Sequence, residues 1–121
     1  MKLRASEQAN LYSSKFPQED IGSLNESLNR LIETGILARA ADLARKGELQ
    51  QAELLLQPLA NKPEAPTSTL DLLAKIYGQQ RKFKEAQALW LQALNREPSN
   101  KHFLKALLRC SDFMKENGGY F

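Results

Sequence analysis

Cysteine, histidine and tryptophan each occur once in this chain of 121 residues, as Cys110, His102 and Trp90, and aromatic residues make up only 7% of it. A lone cysteine excludes an intrachain disulfide and fits a reducing compartment. Cys110 also lacks a CxxC partner and falls on an apolar helical face, so it reads as a buried structural thiol and not as a nucleophile. His102 stands apart from any cysteine or carboxylate cluster, which makes it a surface residue and not a metal ligand or general base. The pair Gly118-Gly119 has no strand before it and no Lys-Ser/Thr after it, which excludes a phosphate loop. Adjacent acids such as Glu19 and Asp20 read as solvated or helix-capping. No apolar run approaches the roughly 18 residues that a membrane-spanning helix needs. Met1-Lys2-Leu3-Arg4 is charged like the opening of a secretory signal, but polar Ala5-Ser6-Glu7-Gln8-Ala9-Asn10 stands where the apolar core would be. No catalytic, cofactor or metal function is expected. The expected setting is cytoplasmic, or the cytoplasmic side of a membrane for a domain cut from a longer protein.

What the chain does have is helix-forming apolar residues and unevenly placed charge. Hydrophobic residues make up 42% and charged residues 26%, the balance of one ordinary globular domain. Leu and Ala dominate the apolar set, and both favour helix. The net charge of +3 hides an asymmetry. From Lys75 to Arg109 the chain holds Lys75, Arg81, Lys82, Lys84, Arg96, Lys101, Lys105 and Arg109 against only Glu85 and Glu97, which is +6 and leaves −3 for the rest. A basic half attracts an acidic peptide, a phosphate surface or an acidic partner protein.

The dominant pattern is a period of 34 residues. Ile36, Leu70 and Leu104 form one series, and Ala40, Ala74 and Leu108 another. Leu49 pairs with Phe83, Ala52 with Ala86, Leu56 with Trp90, and Leu59 with Ala93. A fixed period of roughly 20–50 residues marks a helical array, and such arrays commonly bind proteins. Residues 1–22 show no sustained period and read as a flexible arm. Ser23-Leu24-Asn25-Glu26 has the form of a capping box, followed by Leu24, Leu28, Leu31 and Ile32 at helical spacing. That helix ends near Gly35 or runs on through it. Further helices are predicted from about Glu33 to Lys46, stopped by Gly47 in the left-handed conformation, and from Glu48 through Leu59. Lys62-Pro63-Glu64-Ala65-Pro66 is a linker. Thr67 or Ser68 caps a helix carrying Leu70, Leu73, Ala74 and Tyr77, and a turn at 79–82 leads to one carrying Phe83, Ala86, Leu89, Trp90, Ala93 and Leu94. Ser99 is the expected cap of a last helix bearing Phe103, Leu104, Leu107, Leu108, Cys110, Phe113 and Met114, with Asn117-Gly118-Gly119 ending it.

Residues 67–100 resemble a tetratricopeptide repeat, whose pattern is W-x-x-L-G-x-x-Y, then Ala, an aromatic residue four further on, then Pro. Leu70 stands for the Trp, Leu73 matches, Ala74 stands for the Gly, and Tyr77, Ala86, Trp90 and Pro98 fall in place. Small Ala74 and Ala86 let two helices approach closely, and Tyr77 and Trp90 fill the space beside them. Trp90 is therefore read as core and not as a ligand platform. In the preceding unit, 33–66, Ile36, Ala40, Leu43, Ala52 and Leu56 fit, Arg39 replaces a core Leu, and Pro63 comes one residue early. A third unit, 101–116, is half present, with Ser111 for the Tyr and no second helix. The resemblance covers about 80 residues and implies an all-α, right-handed superhelix of helical hairpins with an additional N-terminal helix, bounded by the arm at 1–22 and a short tail at 117–121.

The half unit has a consequence. In this architecture Leu104, Leu107, Leu108 and Ser111 would pack on their own second helix, which is missing. Burying a Leu side chain contributes roughly 1.5–3 kcal/mol, so this face should be covered by the tail, the arm, a second copy, a partner or a continuation of the natural chain. The resemblance also implies a concave groove lined by the first helix of each unit, with Leu37, Ala41, Ala44, Arg45, Asp71, Lys75, Gln79, Lys105 and Arg109 projecting into it, as do Gly78 and Asp112. Its apolar floor and cations would suit a protein or peptide ligand with an acidic portion. The chaperone-tail grip of some family members is not expected, since Leu37, Ala41 and Asp71 stand at its positions. The reading is a protein-interaction module, working by adaptor, assembly or chaperone-like binding. The alternatives are homodimerisation through the 104/107/108 face and nucleic-acid or acidic-partner binding through 75–109. Arg81, Lys82 and Lys84 lie in a turn with no groove-reading motif, which argues against nucleic acid.

Overall fold

Apolar residues at helical spacing, punctuated by Gly and Pro, produce an all-α chain. A computed structural model describes residues 18–116, with side chains from Ser23 onward. The described residues form five helices and no strand: α1 Gln18–Arg45, α2 Leu49–Ala60, α3 Thr67–Gln79, α4 Phe83–Arg96 and α5 Lys101–Glu116. The chain divides into two compact units, Met1–Thr34 and Gly35–Phe121. This division falls inside α1. Most of the expected arm, the Asn117-Gly118-Gly119 stop, and Tyr120 and Phe121 lie outside the described residues.

In the second unit the 34-residue period is written into the backbone. Gly47 and Arg81 both have positive φ, at 83° and 63°. The Glu48 N–H donates to the Leu43 carbonyl at 2.8 Å and the Gly47 N–H to the Ala44 carbonyl at 3.0 Å. Thirty-four residues on, the Lys82 N–H donates to the Tyr77 carbonyl at 2.8 Å and the Arg81 N–H to the Gly78 carbonyl at 3.0 Å. This pairing is the Schellman motif, which satisfies the last carbonyls of a helix through one left-handed residue. Each motif hands the chain to the next helix, α2 or α4.

The second unit's core follows from the same pattern. Ala40, Ala52, Leu56, Leu70, Ala74, Ala86 and Ala93 are fully sealed, in one cluster with Leu73, Ile76, Trp90, Phe103, Cys110 and Met114. α3 packs on α2 and on α4, and α4 packs on α5. The alanines permit close approach, so enlarging one of them would overpack the interface at a cost of about 1–3 kcal/mol. Polar contacts add registration. Glu53, nearly buried, accepts hydrogen bonds from Gln57 at 3.0 Å, Gln80 at 2.9 Å and Lys82 at 3.2 Å. Arg96 reaches from α4 to the carbonyls of Ala65 and Pro63 and fastens the 61–66 connection.

Several local expectations are corrected. α1 begins at Gln18, so Ser23 lies inside a helix and does not cap one, and α1 runs unbroken through Gly35. Pro66, not Thr67 or Ser68, is the N-cap of α3, and the Thr67 hydroxyl donates to the Glu97 carboxylate instead. The cap before α5 is Asn100, not Ser99. Its side-chain oxygen accepts from the backbone N–H of His102 at 3.0 Å and of Phe103 at 3.3 Å, the geometry that satisfies orphan donors of a first turn. In the first unit Leu24, Leu28, Leu31 and Ile32 keep their helical spacing but are exposed.

Candidate functional site

Three helices of the second unit converge on one hollow. The last turn of α3 contributes Lys75, Gly78 and Gln79. α4 contributes Phe83 and Trp90, and α5 contributes His102, Ala106, Arg109, Cys110 and Phe113. Together they enclose about 420 Å³. Gly78 borders it, and a β-carbon there would meet only the Trp90 ring, at 4.0 Å. Phe83 and Phe113 stack at one end, ring centroids 5.7 Å apart and 5° from parallel. Cys110 forms part of the wall, and its thiol donates to the Phe83 carbonyl at 3.2 Å. Burial pushes that thiol's pKa up, so it stays protonated and unreactive.

Asp71 organises the polar side. It is nearly buried, and one carboxylate oxygen accepts from the Trp90 indole N–H at 2.9 Å while the other pairs with Lys75 Nζ at 2.9 Å. His102 Nε2 lies 3.5 Å from the first oxygen. The indole is thus held by a hydrogen bond while its ring forms both core and cavity wall. Arg109 is exposed on the cavity rim and takes part in no ion pair among the described residues.

The hollow is one stretch of a longer track. Lys75 and Gln79 also border a cavity of about 200 Å³ lined by Ala41, Ala44 and Arg45. Gly78, Gln79, Phe83 and Phe113 border another of about 430 Å³ that reaches Arg81 and Glu116. Of the residues expected in a groove, Ala41, Ala44, Arg45, Lys75, Gln79 and Arg109 therefore line this track. Leu37 instead packs against the core, Asp71 is held beneath by Lys75 and Trp90, and Lys105 borders none of these cavities. The contributions of His102, Trp90, Phe83 and Phe113 were not foreseen. The spacing of Lys75, His102 and Arg109 in the sequence gives no sign of it, since only helix packing brings them together.

The second expected face is divided. Leu107 and Ser111 are half-buried, Leu107 against the core, whereas Leu104 and Leu108 are exposed. Among the described residues no group of His, Cys, Asp or Glu could hold a metal ion, and no helix is long and apolar enough to cross a membrane. No protein-family model, no curated protein and no solved structure matches the chain.

Proposed function

We propose that the second unit is a tetratricopeptide-like array whose work is to bind a peptide segment of another protein, without catalysis and in the reducing environment of the cytoplasm. The ligand pairs an apolar or aromatic side chain with neighbouring acidic residues. The observation that carries this reading is the 420 Å³ hollow, with an aromatic floor of Phe83, Trp90 and Phe113 and the exposed guanidinium of Arg109 at its edge. An apolar pocket with a few placed polar groups is the usual form of a ligand site, and the track on either side gives an extended chain somewhere to run. Nucleic acid is the poorer fit. Of the eight cations between 75 and 109, Lys75 is paired with Asp71, Lys82 with Glu53, and Arg96 is spent on backbone carbonyls.

Trp90 is the chain's single tryptophan and lines the hollow, so its emission reports occupancy directly. Three synthetic peptides of equal length serve as probes: acidic with Leu and Phe, acidic without apolar residues, and basic with Leu and Phe. Only the first is expected to shift Trp90 emission, and Arg109→Glu should weaken it about tenfold, as for loss and reversal of a rim charge. Equal binding of the basic peptide, or no response to the first, would overturn the proposal.

A further inference from the structure

The period makes α3 and α5 directly comparable. On α3, which packs on α4, Leu70 and Ala74 are 0% exposed. Their counterparts on α5, Leu104 and Leu108, are 44% and 55% exposed, and no helix follows α5 among the described residues. What α4 contributes to its pairing is a buried stripe at Ala86, Trp90 and Ala93, spaced i, i+4, i+7. The same spacing recurs in the first unit at Leu24, Leu28 and Leu31, which with Ile32 are 48–67% exposed. Among the described residues there is therefore a face that lacks a helix and a helical stripe that lacks a face.

Charge selects how these are paired. Residues 18–34 hold Glu19, Asp20, Glu26 and Glu33 against Arg30, a net −3. α5 holds Lys101, Lys105, Arg109 and Lys115 against Asp112 and Glu116, a net +2. Pairing either segment with itself sets like charge against like, whereas stripe on face sets opposite charges together. Glu26 stands two residues from both Leu24 and Leu28, and Glu33 two from Leu31, so these acids lie behind the stripe. The attraction thus acts between whole segments and weakens with salt over a screening length of about 8–10 Å.

We propose that the Leu24/Leu28/Leu31 stripe of a second copy docks on the Leu104/Leu107/Leu108 face, occupying on α5 the place that α4 occupies on α3. A single contact of about two helical turns falls below the low end of stable interfaces, roughly 1,200 Å². Reciprocal exchange between two copies doubles the contact and closes a symmetric pair.

The test is molar mass by light scattering over a hundredfold range of protein concentration, with Leu28→Glu and Leu108→Glu as variants. Both positions are exposed, so the fold should persist, and circular dichroism checks that it does. The wild-type mass is expected to rise above the monomer with concentration. Each variant alone should raise the dissociation constant roughly thirtyfold or more, the effect of losing a central anchor. An equimolar mixture of the two variants should form a one-to-one complex tighter than either variant with itself and weaker than the wild type, because the intact stripe of the Leu108→Glu chain meets the intact face of the Leu28→Glu chain and restores one of the two contacts. A wild type that stays monomeric throughout overturns the proposal, leaving the faces covered within one chain or by a different protein. Association that survives either single variant, or a mixture no tighter than its components, overturns it too, because stripe-on-face pairing allows neither.

Discussion

Arg81 allows a quantitative test of the repeated turn. It occupies the left-handed position that Gly47 holds 34 residues earlier, in a motif with the same two hydrogen bonds. A left-handed conformation costs a residue with a β-carbon about 1–2 kcal/mol. Glycine avoids that cost but loses about 0.5–1 kcal/mol more in backbone entropy on folding. Arg81 is exposed, so its side chain gives up little when removed. Arg81→Gly should therefore stabilise the fold by about 0.5–1 kcal/mol, which in a domain of this size raises the midpoint of thermal unfolding by about 2–4 °C. Gly47→Ala is the control with the opposite sign. No atom lies within 4 Å of the added β-carbon, so its cost is conformational alone and comes to about 1 kcal/mol. Urea denaturation followed by far-ultraviolet circular dichroism measures both. If Arg81→Gly proves neutral or destabilising while Gly47→Ala destabilises, the two turns are not equivalent and the reasoning from the repeat fails.

Gly78→Ala should separate stability from binding: it removes a glycine from the last turn of α3 without a clash, gaining about 0.5 kcal/mol in urea denaturation, while the methyl intrudes on the hollow and weakens the acidic–apolar peptide in the Trp90 titration. Glu97 is held below the usual carboxylate range, first by the Thr67 hydroxyl and then by the Asn100 amide, so its contribution to stability is present above the unfolded value of about 4.5 and is lost as pH falls through the lower folded value. Glu97→Gln should accordingly lower the urea midpoint near neutral pH and converge with the wild type in acid; a constant difference at every pH would show that the hydrogen bonds do not depend on the charge.

The parts of the fold that repeat were legible because repetition is a property of the sequence. Ala40 with Ala74, Ala52 with Ala86, and Leu56 with Trp90 all reach the core as their spacing implies. Local chemistry was less legible where two residues could serve. Ser99 and Asn100 are both good caps, and the side-chain oxygen of Asn100 is the one that reaches the free N–H groups of α5. The turn at Arg81 carried no glycine, so nothing in the residue types marked its left-handed backbone. The Leu24, Leu28, Leu31 and Ile32 stripe was legible as an amphipathic helix but not as an exposed one. Periodicity gives the existence of an apolar face and is silent on what meets it.

Charge shows the same limit from another side. The count of +6 between Lys75 and Arg109 marked a basic half, yet its members serve different ends. Lys75 neutralises Asp71, which in turn holds the Trp90 indole. Lys82 joins the nearly buried Glu53 and lies 5.7 Å from the centroid of the Tyr77 ring, and Arg96 fastens a loop. These three are parts of the fold, and replacing them would disturb packing before it disturbed any ligand. Arg109 is different, since it is exposed on the rim of the hollow and makes no ion pair among the described residues. An acidic ligand in the hollow would meet chiefly the Arg109 charge beside an aromatic floor. Its affinity should then come mostly from apolar burial, with a shallow salt dependence, where neutralising several phosphates at once would give a steep one.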